Sequence, residues 1–272
     1  MRSHEDANRL NWNDRADIHA TDQSGTYPIA AVLAGGSSLG PIETREIGVV
    51  SGRDILHLQC HIGLDTISLK TFGARSVTGL DISARSIAHA VEFARRAGAD
   101  VHFVEGSVYD APHLLDRTFD LVFMTWGTIN WLGDIERWAQ VVARLLRPGG
   151  RLYLLDAHPQ LLQTDLRDRS YVIARDWRTA SSAPIEYRVE RTYTGDPRPL
   201  SNTTTFQWIH PLGSVVNATV SAGLNLNFLN EHETISWKAL PSMVTTSDGQ
   251  FALPAAGARF PLAFSIGAVQ PV

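Results

Sequence analysis

Between Ile55 and Ala157, short apolar runs alternate with segments of helical spacing, and this alternation constrains the fold more than any other feature. Ile55-Leu56-His57-Leu58 reads as a short strand, and Thr66 to Phe72 as a helix ended by Gly73. Ser76 to Leu80 is a second strand that stops at Asp81. Ser83 caps a helix whose Ile87, Val91 and Ala94 recur at helical spacing up to Gly98. Val101 to Val104 is a third strand. Phe119 to Met124 is a fourth, apolar almost throughout, as a strand buried on both faces must be. Ile135 to Leu146 is helical, with Ile135, Trp138, Val142 and Leu145 on one stripe. Pro148-Gly149-Gly150 reads as a turn and Arg151 to Leu155 as a fifth strand.

Such a β-α-β-α order implies an α/β domain with a parallel sheet covered by helices on both faces. Right-handed crossovers then bring the C-terminal ends of the strands to one edge, where a ligand is expected. Beyond Asp156 the pattern changes. Residues 159–200 are polar and irregular, while Tyr187 to Tyr193 and Thr203 to Ile209 alternate as an antiparallel hairpin would. Leu212 to Leu224 reads as a helix, and Leu226 to Leu229 and Leu262 to Ile266 as strands. We therefore expect an N-terminal helical cover over residues 1–50 and the main domain over residues 51–272. An insertion at about residues 159–210 is expected to lie over the ligand edge as a lid.

Composition narrows the function classes. Lys and Arg number 24 against 28 Asp and Glu, a net charge of −4, which argues against a nucleic-acid binder with a broad basic face. Cys60 is the only cysteine, so neither an intrachain disulfide nor a Cys-rich zinc site can form. The ten histidines show no H-x-x-x-H or H-E-x-x-H spacing on a plausible helix, and no metal site is expected. The polar Met1 to Leu10 segment and the lack of a long apolar run lead us to expect a cytoplasmic protein that does not enter a membrane.

Chemistry enters at Asp81. A carboxylate at the end of a second strand accepts hydrogen bonds from a ribose diol in both NAD and S-adenosylmethionine enzymes, and it also serves simply to cap the next helix. The first loop separates the two cofactors. A dinucleotide site needs G-x-G-x-x-G for backbone approach to a pyrophosphate. Here Leu58-Gln59-Cys60-His61-Ile62-Gly63 has a single glycine, which disfavours a Rossmann oxidoreductase.

Residues 54–159 resemble the core of a class I S-adenosylmethionine-dependent methyltransferase. The resemblance is carried by Ile55 to Gly63, by Val77-Thr78-Gly79-Leu80-Asp81-Ile82-Ser83, by Phe119 to Met124 and by Leu146-Arg147-Pro148-Gly149-Gly150. The L-H-L-Q-C-H-x-G-L-D-T form of the first motif is similar to that of a bacterial small-molecule subgroup, as are the Trp-containing N-terminal segment and Gln207-Trp208-Ile209-His210. The chain departs from the broad family at His57, Gln59 and His61, which stand at the usual Asp, Gly and Gly positions. The resemblance implies a Rossmann-like sheet of seven strands ordered 3-2-1-4-5 at its parallel end, with the last strand antiparallel.

The resemblance also implies S-adenosyl-L-methionine as cofactor and S-adenosyl-L-homocysteine as product. Asp81 would take the ribose hydroxyls, Ile82 would pack on the adenine, and Ser107 and Val108 would lie at its amino group, where the family often has Asp in place of Ser107. Gln59, His61 and Gly63, together with Thr125, Trp126 and Gly127, would flank the methionine part. Methyl transfer asks a protein mainly to position the acceptor and exclude water.

An acceptor with a proton to lose also wants a base. His158, at the end of the fifth strand, is the first candidate, ahead of His210 and His232, and Trp126 is expected beside the methyl group. Trp12, Tyr27, Trp131 and Trp208, with His158 and His210, are the candidate lining of an acceptor pocket. Trp177, Tyr187 and Trp237 are further aromatic candidates. The expected partner is a small, partly aromatic metabolite bound by a monomer or homodimer. Two other classes stay open: an S-adenosylmethionine enzyme of elimination or cyclisation chemistry, and a non-catalytic nucleoside-binding module.

Overall fold

The computed structural model describes residues 2–168, 170–257 and 259–272; Met1, Arg169 and Ala258 lie outside them. In chain order, α1 (Arg2–His19), α2 (Ile29–Leu33) and α3 (Pro41–Glu46) form the N-terminal cover. The core then runs β1 (Asp54–Leu58), α4 (Leu64–Thr71), β2 (Ser76–Asp81), α5 (Ala84–Ala97), β3 (His102–Glu105), α6 (Ala111–Leu115), β4 (Phe119–Thr125), α7 (Ile135–Leu145) and β5 (Leu146–Ala157). Next come α8 (Pro159–Gln163), β6 (Thr164–Arg167), β7 (Ser170–Ile173), β8 (Ile185–Arg188) and β9 (Thr204–Gln207). The chain closes with α9 (Leu212–Ser221), β10 (Asn225–His232), β11 (Thr234–Ile235), β12 (Val244–Thr245), β13 (Phe251–Ala252) and β14 (Ala263–Val269).

Seven strands build the central sheet in the order β10-β14-β5-β4-β1-β2-β3. The pairs among β1 to β5 are parallel, and β14 lies antiparallel between β5 and β10. All of β1 is buried, as a central strand covered on both faces should be. Ser83 caps α5 by accepting from the Ser86 amide at 3.0 Å, and Gly98 ends it at φ 64°. Asp134 caps α7 in the same way, and that helix drives Trp138 fully into the core against Met124. Removing such a ring would cost about 3–5 kcal/mol.

Two features differ from the sequence expectation. Pro148-Gly149-Gly150 is not a separate turn; β5 begins at Leu146 and carries these residues at its start. There Gly149 donates to Gln270 O and Gln270 donates back to Gly150 O. A Cβ on Gly150 would stand 2.8 Å from Phe119 O, so only glycine allows this pairing. Secondly, chain outside the central sheet after β5 is not confined to residues 159–210. Those residues hold the β6–β7 and β8–β9 hairpins, the latter with Ile185 opposite Gln207. A further excursion joins β10 to β14 and carries the small sheet β11-β13-β12. Its two-residue strands are too short to register as a period-2 pattern.

Helix α1 is tied down at both sides. Asn8 exchanges two 2.8 Å hydrogen bonds with the Phe206 backbone, and Asp14 accepts from the Asn202 amide at 2.7 Å. On the other side Asp17 pairs with Arg85 of α5 at 2.7 Å. Among the described residues no helix is long and apolar enough to cross a membrane, and no cluster of three or more His, Cys, Asp or Glu could hold a metal.

Candidate active site

The loop after β1 decides what the edge can bind. Gln59, His61 and Gly63 adopt φ values of 57°, 48° and 78°, so every second residue is left-handed although only the last is glycine. Left-handed backbone costs a non-glycine residue about 1–2 kcal/mol. Specific bonds hold it here. Gln59 Nε2 donates to Thr128 O at 3.0 Å, and the His61 amide donates to Asp81 Oδ2 at 2.8 Å. Gly63 is glycine for packing as well, since a Cβ would lie 2.7 Å from Ala90 Cβ and 2.8 Å from the Phe103 ring.

Asp81 joins the first loop to the second. Its Oδ1 accepts from the Ser83 amide at 2.9 Å while Oδ2 holds His61. Burial pushes its carboxyl up to about 6, against the pull of those two amides. Ile82 beside it is half-buried. Ser107 follows β3 and donates to Glu5 of α1, while Val108 sinks into the core.

His61 is enclosed by the cover. Its Nδ1 meets Ser86 Oγ at 3.1 Å and its Nε2 meets His19 Nδ1 at 2.8 Å. Trp12 stands edge-on to both His61 and Trp131, at 5.1 and 5.2 Å between ring centroids. Tyr27 stacks on His19 at 4.8 Å. The structure thus brings Trp12 of α1 together with Tyr27, Trp131 and His61. Burial holds His61 far below the ordinary histidine range and His19 down to about 3, with the Arg15 charge adding to both.

The loop after β4 is organised by Asp156, a residue that sequence reasoning passed over. Its carboxylate accepts from the amides of Gly127, Ala157, Thr128 and Ile129 and from Thr128 Oγ1, at 2.6–3.0 Å. The signal available was an acidic residue ending a buried strand. His210 and Trp208 lie beside this loop. His210 Nε2 donates to Leu132 O at 2.7 Å, and Trp208 Nε1 donates to Ser181 O at 3.2 Å. Gln59 Oε1 and Asn130 Oδ1 are both buried without a partner, one on the β1 loop and one on the β4 loop.

His158 stands apart from these groups. Its Nδ1 accepts from the Gln160 amide at 3.1 Å as the cap of α8, and its Nε2 faces Glu231 Oε1 at 3.0 Å. Both ring nitrogens are therefore engaged, and burial lowers its basicity against the pull of Glu231. His232 is likewise engaged, with Ser265 Oγ at 2.9 Å. Thr125 donates to Asp65 at 3.2 Å. Trp126, at φ 56°, donates its indole N–H to Glu43 and meets Trp237 edge-on at 5.7 Å. His57 is bound to Thr66 Oγ1 at 2.9 Å within the core. Trp177 is exposed and Tyr187 half-buried, on the insertion.

Residues 55–150 match a family model described as a methyltransferase domain. The chain carries the methyltransferase fold. Its likeness to solved structures extends over most of its length. An S-adenosylmethionine-dependent methyltransferase from Mesorhizobium loti superposes with a TM-score of 0.58 at 19% identity, covering 84% of this chain and 96% of that one. A glycopeptide N-methyltransferase in complex with S-adenosyl-L-methionine gives 0.55 at 20% identity, covering 86% and 88%. In sequence, a ubiquinone/menaquinone biosynthesis C-methyltransferase of Bdellovibrio bacteriovorus is 30% identical over 102 residues, 36% of this chain and 43% of that protein. The chain spans less than half the length of the curated relatives it matches, 40% to 47%.

Proposed function

We propose that the chain is an S-adenosylmethionine-dependent methyltransferase acting on a small, partly aromatic metabolite. The observation that carries this reading is the pair of buried, unpartnered amide oxygens, Gln59 Oε1 and Asn130 Oδ1, on the loops that follow the two central strands. Two acceptors without donors suit an ammonium group, as the methionine end of the cofactor offers. Nothing in the loop suits a pyrophosphate, because its alternate positions carry the Gln59 and His61 side chains.

The remaining groups fit the rest of the same molecule. Asp81 has uncommitted lone pairs for ribose hydroxyls after its two backbone bonds. Ile82 and Val108 offer apolar contact for the adenine, with Ser107 at its rim. Gly127 and Trp126 would border the methionine part. When bound, the cofactor supplies an electrophilic methyl group on a cationic sulfur. The chain's part is to bind it, to hold the acceptor in line and to exclude water. The indole faces of Trp126 and Trp131 are suited to a neighbouring cation. The neighbour solved with S-adenosyl-L-methionine supports this cofactor by fold.

Parallel calorimetric titrations with S-adenosylmethionine, S-adenosylhomocysteine and NAD test the assignment. Saturable binding of the two adenosyl ligands and none of NAD is expected. Binding of NAD alone, or of none of the three, would overturn it.

A further inference from the structure

Arg15 carries a charge into the protein without a counter-charge. It lies on α1, is 5% exposed, and its Nε donates to Asn11 Oδ1 at 2.6 Å. Its two Nη atoms make no hydrogen bond to the described residues, and neither is sealed from solvent. The acids of its own helix are committed elsewhere: Glu5 to Ser107, Asp6 to Arg9, Asp14 to Asn202, and Asp17 to Arg85 and His89. Among the described residues Arg15 forms no ion pair; its charged surroundings are the hydroxyls of Tyr27 and Tyr193. A buried cation is ordinarily paired, because its lost hydration otherwise goes uncompensated. Two rings flank this one, with the guanidinium carbon 5.3 Å from the Trp12 centroid and 5.7 Å from that of Tyr193. Ring faces attract a cation but do not replace an acceptor for its N–H groups.

We propose that Arg15 receives the carboxylate of S-adenosylmethionine on its two Nη atoms, and so selects a cofactor with an intact amino-acid end. The inference rests on the methyltransferase reading and adds to it a binding residue from outside the sheet.

Position and chemistry both point there. Trp12, which packs on Arg15, also stands against His61 and Trp131, the neighbours of Gln59 and Asn130 in the β1 and β4 loops. The Arg15 charge reaches His61 and lowers its basicity. The cation therefore stands on the α1 side of the crevice where the two open amide oxygens lie. Ammonium and carboxylate share one carbon in an amino acid, so acceptors for the first call for a cation beside them. A guanidinium has donors only and stays charged, so it selects an anion, and its fork fits two carboxylate oxygens. The carboxylate is the one acid group of S-adenosylmethionine. Tyr193 is 55% exposed, and Trp12, His61 and Trp131 are half-buried, so solvent reaches the rings around the guanidinium.

The test titrates the full chain by calorimetry with S-adenosylmethionine and with decarboxylated S-adenosylmethionine, which keeps the sulfonium and the amine. The natural chain should bind the first at least about tenfold more tightly, the size of one hydrogen bond to a charged group. Arg15→Met keeps an unbranched stem and removes the charge. It should bind the decarboxylated ligand as the natural chain does, which also reports folding, and lose the preference. Arg15→Lys keeps the charge without the fork and should show a reduced preference. A natural chain that does not distinguish the two ligands, or an Arg15→Met variant that still does, overturns the role of Arg15. Should Arg15→Met misfold, an undiminished preference in Arg15→Lys overturns it equally. Failure of the natural chain to bind either ligand overturns the methyltransferase reading instead.

Discussion

Acid should release helix α1, and the histidine pair beneath it sets the pH range. His19 Nδ1 and His61 Nε2 are 2.8 Å apart, so one of them donates and the other accepts. The first added proton is opposed by burial and by the Arg15 charge; a second would set two N–H groups face to face. The folded value of His19 is depressed to about 3 from an ordinary 6.5. Its stabilising contribution is therefore complete above pH 6.5 and is lost as the pH falls from there towards 3. At pH 5 that loss is about 2 kcal/mol for one such histidine, a factor of about 30 in the opening equilibrium. His61, depressed in the same direction, is released by the same opening and steepens the dependence.

Hydrogen exchange, corrected for the intrinsic pH dependence of amide exchange, reads this directly. Amides of α1 should lose at least about 30-fold in protection between pH 7 and pH 5, while those of β1 and β4 keep theirs. His19→Gln keeps a donor and an acceptor but does not titrate, and its α1 amides should show a shallower fall. If α1 protection in the natural chain is flat over this range, or if the variant falls as steeply, the histidine pair does not hold the helix.

Three other substitutions test separate links. Asp81→Ala strips two backbone amides of their acceptor and the ribose of its partner; cofactor affinity measured by calorimetry should drop by about 1.5–3 kcal/mol, with a lower melting temperature. Gly63→Ala places a methyl at φ 78° and 2.7 Å from Ala90, so urea unfolding should show a loss of about 2–4 kcal/mol. Glu43 has a folded value raised from 4.5 to about 7, so the fold keeps its proton where the unfolded chain releases it, and stability should fall as pH rises through that interval. Glu43→Gln should remove that slope, worth up to about 3 kcal/mol between pH 5 and 8, and denaturation curves at the two pH values would reveal a slope that persists.

The sheet was legible because its signals are local and repeated. Strand β4 is apolar almost throughout, α5 has its serine cap and terminal glycine, and α7 has one apolar stripe. The contacts of the site were less legible because they join distant segments. Arg15 and Tyr193 stand far apart in the sequence, and neither sits in a motif; only the folded chain sets the guanidinium against that ring with no acid paired to it. His158 shows the converse. Its place after β5 matched a base at the ligand edge, but the next residues turn into α8, and the ring is used to cap it.

The first loop shows why a missing glycine does not by itself mean a missing site. A glycine-rich sequence makes left-handed backbone cheap, but it does not impose it. At Gln59 and His61 the same shape is imposed from outside, by Thr128 O on one side chain and by Asp81 on one amide. Each such bond is worth about 1–3 kcal/mol when buried or charged, enough to offset the cost of one left-handed residue. The substituted side chains then become useful. Gln59 brings an amide oxygen into the crevice, and His61 anchors the cover through His19. Asp81 shapes this loop through the His61 amide, and in the function proposed above it would also bind the ribose of the cofactor. Asp81→Asn would keep the His61 bond through its one oxygen but set an N–H against the Ser83 amide, so any loss of cofactor affinity has to be read beside the melting temperature.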